Sequence, residues 1–181
     1  MQDDQEIIDG FKTKEGRNQA FGALVSKYKE RLYWHIRKIV INHDDADDVL
    51  QNTFMKVWNS IDSFREESGI YTWLYRIATN EAITHLNQLK KRSVLGMNDV
   101  SDYLIGALHS DPYFDGDEIQ MQLQEAIASL PEKQRLVFNM KYFDDMKYQD
   151  MSEILETSVG ALKASYHHAV KKIEDYFKLV E

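Results

Sequence analysis

The chain has 181 residues, 43% of them hydrophobic, with two prolines, no cysteine and a formal net charge of −8. That length allows one domain or two small ones, and the lack of cysteine excludes disulfides, thiolate metal sites and thiol catalysis, in keeping with a reducing cytoplasm. No apolar run approaches a membrane span, and the acidic opening MQDDQEIIDGF lacks the apolar core of a signal peptide, so direct membrane insertion is not expected.

The acidity is unevenly spread. Residues 1–16 carry −3, residues 17–92 carry +3, residues 93–120 carry −6 and residues 121–181 carry −2. This predicts an N-terminal tail or short leading helix, a first unit, an acidic linker and a second unit. Weak basicity also predicts weak unaided binding to duplex DNA, because phosphate contacts supply most non-specific affinity.

From Asn18 a long amphipathic helix is expected. Phe21, Leu24, Val25, Tyr28, Leu32, Ile36 and Ile39 recur at helical spacing, with Lys27, Lys29, Arg31, Arg37 and Lys38 outside. A second helix, residues 45–60, opens on Asp44, Asp45, Asp47 and Asp48, which suit the positive end of a helix dipole. A metal site is the sharper alternative for these acids, but exposed acidic first turns are ordinary, so no metal is expected. Leu50, Phe54, Val57, Trp58 and Ile61 form the buried face of this helix. Asp48, Gln51, Asn52 and Met55 line up on another, where an exposed methionine among polar groups suits a protein contact as well as plain solvation.

The loop over residues 62–69 sets Phe64 beside Arg65, either as a core plug or as a free aromatic. A third helix, residues 70–89, begins with Tyr71, Trp73 and Tyr75. With Leu74, Ile77 and Ala78 turned inward, Tyr71, Tyr75, Arg76 and Asn80 are expected to face out. Aromatics interleaved with arginine and amides make a platform for unstacked bases. Lys90-Lys91-Arg92 closes the helix with a patch suited to a phosphate backbone.

Residues 93–120 hold no Lys or Arg, six acids, three glycines and one proline, and read as the linker. Its apolar pieces, Tyr103-Leu104-Ile105 and Tyr113-Phe114, are able to dock on a partner. A helix over residues 121–130 stops before Pro131, which starts another running to about Tyr142. Residues 148–155 then read as a short helix and Glu156-Thr157-Ser158 as a turn, with Ser158 capping the next helix. That last helix buries Leu162, Tyr166, Ala169, Ile173 and Phe177. Its other face collects Ala161, Lys163, Ala164, Ser165, His167, His168, Lys171 and Lys172. Two helices about a tight turn describe a helix-turn-helix, whose second helix can lie in the DNA major groove. No strand alternation appears, so the expected fold is all-α, with two small helical domains joined by the acidic linker.

Three ordered stretches resemble the extracytoplasmic-function sigma factors of bacterial RNA polymerase. DDADDVLQNTFMKVWNSIDSF resembles the family's polymerase-binding helix, and SFREESGIYTWLYRIATNEAITHL its promoter-melting segment. LPEKQRLVFNMKYF followed by YQDMSEILETSVGALKASYHHAVKKI resembles its second conserved domain. The resemblance implies that Asp48, Gln51, Asn52 and Met55 dock on the polymerase's largest subunit. It implies that Ser63, Phe64 and Arg65 capture a base flipped from the −10 element, while Tyr71, Trp73, Arg76 and Asn80 hold the melted strand. For the −35 element it implies readout by the recognition helix, through Ser158, Ala161, Lys163, Ala164, Ser165, His168 and Lys171. Arginines common in the family are missing at Ser165, His168 and Val170, so the site carries over but its preferred sequence does not. The implied partners are core RNA polymerase, promoter DNA and an anti-sigma factor, often membrane-anchored. No cofactor is implied.

Two other readings compete. A free-standing helix-turn-helix regulator would need a basic, usually dimeric surface, and the second unit is net −2. An enzyme would need a nucleophile–base pair or a phosphate-cradling glycine loop, and the sequence supplies neither.

Overall fold

The structure, a computed structural model, describes residues 3–92 and 100–180. The first part of the expected linker, residues 93–99, and residues 1, 2 and 181 lie outside the described residues. Among the described residues there are nine α-helices and no strand: α1 (Asp4–Phe11), α2 (Arg17–Val40), α3 (His43–Ser60), α4 (Ile70–Arg92), α5 (Val100–His109), α6 (Glu118–Ala128), α7 (Glu132–Tyr142), α8 (Tyr148–Leu155) and α9 (Val159–Val180).

The leading segment forms a helix. Asp3 and Glu6 close a capping box at the start of α1, and Ile7 is almost fully buried. The Tyr28 hydroxyl donates to Asp4 at 2.7 Å, and Lys27 Nζ lies 2.8 Å from the same oxygen. Gly10 lets α1 cross close to α2, since a Cβ there would stand 2.8 Å from that of Ala20.

Helices α2, α3 and α4 pack against one another. Leu24, Leu32, Ile36, Val49, Val57, Leu74 and Ala78 form their common core, and full burial of each larger side chain is worth about 1.5–3 kcal/mol. The Asn42 side chain accepts the Asp45 amide at 3.0 Å, which caps α3. Of the four acids opening that helix, Asp45 is structural. It receives the Tyr103 hydroxyl from α5 and lies 3.0 Å from His85 Nε2 on α4. The apolar linker piece at Tyr103 thus docks inside the chain itself, with Leu104 fully buried.

In the second unit, Ala126, Ile127, Leu130, Phe138, Ala169 and Ile173 make a small separate core. The rings of Phe138 and Tyr166 stack there, 5.8 Å apart. Helix α8 ends at Glu156, whose φ of 49° is the left-handed value usually taken by glycine at a helix C-terminus. That residue makes the sharp turn before α9.

The sequence left open whether the two units pack together, and in this structure they do. Helix α8 lies along α4, and α7 meets α2. Leu136, Val137, Met140, Met146, Met151, Ile154 and Leu162 share one hydrophobic cluster with the first unit. Polar groups tie the same seam. Asn139 Nδ2 donates to the Lys38 carbonyl at 3.0 Å, while Asp144 receives Lys38 Nζ and lies 3.3 Å from His35 Nδ1.

Burial alone would raise the Asp144 pKa, but hydrogen bonds and charge from His35 and Lys38 hold it below the ordinary value of 3.8. A carboxylate with a depressed folded pKa stabilises fully above its unfolded value and loses that contribution as pH falls through the folded one. The contribution of Asp144 to the seam should therefore be lost in acid, below about pH 4. Near-UV circular dichroism during acid titration should show this step in wild type and lack it in Asp144→Asn. An identical step in both would refute the assignment.

Candidate nucleic-acid interface

On α3, Asp48, Gln51, Asn52 and Met55 are all exposed, and Met55 is 59% accessible. Gln51 and Met55 border a groove of about 600 Å³, lined also by Asn18, Phe21, Val25, Phe54, Trp58 and Asn59. The groove was not legible in the sequence, where Phe21, Val25, Phe54 and Trp58 read simply as core. They are half-buried, with one edge of the aromatic cluster open to the groove. Phe21 meets Trp58 edge-on at 5.0 Å, and Arg17 lies over the indole at 4.8 Å. The only hint in the sequence was three large aromatics falling on adjoining helix faces.

The loop after α3 starts with a 3-10 turn, Ile61–Ser63. Ser63 spends its hydroxyl proton on the Ser60 carbonyl at 2.6 Å. Phe64 is half-buried and packs on Trp73 with ring centres 5.1 Å apart, so it combines both roles weighed for it. One side plugs the core, and the other lines a cleft of about 270 Å³ with Ile8, Phe11 and Lys12. Arg65 is exposed.

Along α4, Tyr71, Trp73 and Arg76 are half-buried and Asn80 is exposed. Tyr75, expected outside, is only 4% accessible. The reason is tertiary: α4 is covered by α2 and α3 on one side and by α8 on another, which widens its buried face. The rings of Tyr71 and Tyr75 meet at a tilt with centres 4.3 Å apart, and the Arg31 guanidinium sits 5.2 Å from the Tyr71 ring. Burial pushes the Tyr71 hydroxyl pKa up. Neutral rings beside a cation suit stacking on anionic strands. Lys90, Lys91 and Arg92 form the exposed last turn of α4.

On α9, Leu162, Ala169 and Ile173 are buried, with Tyr166 and Phe177 half-buried, as the spacing requires. Ser158, Ala161, Lys163, Ala164, His168 and Lys171 are exposed, and Ser165 is half-buried at the edge of the helix. The Ser158 hydroxyl accepts the Ala161 amide at 3.3 Å, a long N-cap bond. Lys163 Nζ lies 5.8 Å from the Tyr148 ring. Ala161 and Ala164 leave a low patch between lysines, a shape that lets a helix approach base edges closely.

Comparison with known proteins follows the same division. Residues 24–92 match the Sigma-70 region 2 family and residues 120–173 the Sigma-70, region 4 family. The chain is 30% identical over 181 residues to the ECF RNA polymerase sigma-E factor of Haemophilus influenzae, covering 95% of this chain and 94% of that one. It is 30% identical over 162 residues to the ECF RNA polymerase sigma factor SigW of Bacillus subtilis, covering 85% and 87%. Two solved structures share the fold. CnrH in complex with the cytosolic domain of CnrY has a TM-score of 0.68 at 21% identity, covering 99% of this chain and all of that one. The sigma factor RpoE of Bartonella quintana, in complex with the anti-sigma factor NepR, has a TM-score of 0.65 at 23% identity, covering 89% and 98%.

Proposed function

The chain belongs to the extracytoplasmic-function sigma factors of bacterial RNA polymerase, and from that premise we propose how its surfaces divide the work. A sigma factor binds core polymerase and directs it to promoters. The two sigma-70 regions follow in order along one chain, so the free-standing regulator weighed from the sequence falls away.

Asp48, Gln51, Asn52 and Met55 are the polymerase-binding face. The observation that supports this is the apolar groove at their side, rimmed by polar groups. Phe64, with Ser63 and Arg65, takes a flipped base, and the few kcal/mol lost on unstacking it are offset by enclosure. Tyr71, Trp73, Arg76 and Asn80 hold the separated −10 strand. The exposed face of α9 reads the −35 duplex, with Ala161 and Ala164 toward thymine methyls and Lys163 and Lys171 toward phosphates. Each lysine lost should flatten the salt dependence of promoter binding by about one unit. Residues 17–92 and 121–181 act as the two functional domains, and the acids between them mimic RNA in the polymerase channel. The work is done in the cytoplasm beside the polymerase, without catalysis by this chain. An anti-sigma factor, often membrane-anchored in the family, covers the polymerase-binding face.

Reconstitution with core polymerase and a genomic promoter pool tests this reading. Discrete transcript starts sharing two spaced upstream elements are expected, and an Asp48→Ala/Gln51→Ala variant should lose them. A folded wild-type chain that neither binds core enzyme nor produces starts would overturn it.

A further inference from the structure

A second cavity lies at the opposite end of α2 from the groove beside Met55. It measures about 500 Å³ and opens between the last turns of α2, the start of α3 and the linker residues that follow α5. A space of this size suits a small molecule.

One wall of it is a run of rings. Trp34 meets Tyr33 edge-on at 5.3 Å, Tyr33 meets His43 at 5.9 Å, and His43 meets Tyr113 at 4.8 Å. The Tyr33 hydroxyl lies 2.6 Å from His43 Nδ1, which fixes the middle of the run. The outer members are open for such large rings, Trp34 being 55% exposed and Tyr113 68%. The polymerase and promoter contacts assigned above use neither of them.

Charge decides what these rings can accept. Arg37 and Lys38 also reach the cavity, but each is already committed, Arg37 to Asp111 and Lys38 to Asp144. Asp47 stays 58% exposed, 3.5 Å from His43 Nε2. Asp115, also in the lining, is exposed and makes no ion pair among the described residues. With the two basic groups cancelled, the cavity keeps an excess of carboxylate beside aromatic faces. An anion would be repelled there. A metal ion is no better served, since among the described residues no group of His, Asp and Glu is placed to hold one. The negative face of an aromatic ring attracts an organic cation, and quaternary ammonium groups are the usual guests of aromatic cages.

We propose that this cavity binds a small free alkylammonium cation, with Trp34 and Tyr113 against its alkyl groups and Asp47 and Asp115 balancing its charge. The rings come from α2, α3 and the linker, so the bound cation ties the linker to the first unit. The site does not rest on the roles assigned to α3, α4 and α9.

Choline is the probe, and its neutral isostere dimethylbutanol is the control, with ionic strength held constant by sodium chloride. The chain has three tryptophans, Trp34, Trp58 and Trp73. Their indole N–H signals in a proton–nitrogen correlation spectrum report separately, and Trp34→Phe assigns the first. Choline should shift the Trp34 signal saturably and leave the other two in place, while the isostere should bind about tenfold more weakly. Tyr113→Leu and Asp47→Asn, both at exposed positions, should each weaken choline binding several-fold without changing helicity by circular dichroism. A short peptide carrying trimethyl-lysine should bind no more tightly than choline. Tighter binding of the peptide would overturn the free ligand in favour of a side chain from another protein. No saturable shift, an isostere that equals choline, or choline binding unchanged in both variants would overturn the site itself.

Discussion

An alanine pair at Tyr71 and Trp73 is expected to leave core-polymerase binding intact and to cut open-complex formation by about 30-fold or more. That magnitude follows from stacking, which is worth roughly 1–3 kcal/mol per base on an aromatic platform. Tyr71 packs against Tyr75 beneath Arg31 and Trp73 packs on Phe64, so each ring is already held in place before a base arrives. Permanganate reactivity of promoter thymines reports the opening directly. Trp73 is half-buried, so a thermal melt must accompany the kinetics. Normal opening by a folded double variant would remove these rings from the melting site.

The second large effect concerns the recognition helix. Leu162 is fully buried and joins the cluster shared with the first unit, with Tyr166 of the same helix packed against it. Leu162→Ala removes that anchor and leaves a cavity, at a cost of about 2–5 kcal/mol. Against a total stability of roughly 5–15 kcal/mol, this is a large share. The second unit should melt several degrees earlier, and transcription from promoters that depend on the −35 element should fall most. Binding to core polymerase through α3 should survive. A variant that melts like wild type yet fails on duplex DNA would mean that Leu162 acts other than by packing.

Much of the architecture was readable from spacing, because a helix face is a local property. Leu162, Ala169 and Ile173 on α9, and Val57 on α3, follow a 3.6-residue period that needs no knowledge of the neighbours. The turn at Glu156 and the cap at Ser158 are also local, set by a few residues and their hydrogen bonds. The exposed face of α3 could be traced in the same way, from Asp48, Gln51, Asn52 and Met55.

Other features depend on which surfaces meet. Tyr75 carries the same local pattern as Tyr71, yet it is buried, its ring set against His35 of α2. Asp45 looked like one of four equivalent helix-opening acids. Only the arrival of His85 and Tyr103 from distant helices singles it out. Asp144 gave no signal at all in its own segment, since its partners lie on α2, more than a hundred residues earlier.

The sequence by itself determined the helices and their buried faces, which follow from side-chain periodicity along one stretch of chain, and the order of two sigma-like units, which follows from the resemblance of three stretches to the family. Only the tertiary structure decided that those units close on each other, that a groove opens beside Met55 and that the melting face is partly covered. Those properties come from packing and charge pairing between stretches far apart in sequence, and no local pattern encodes them.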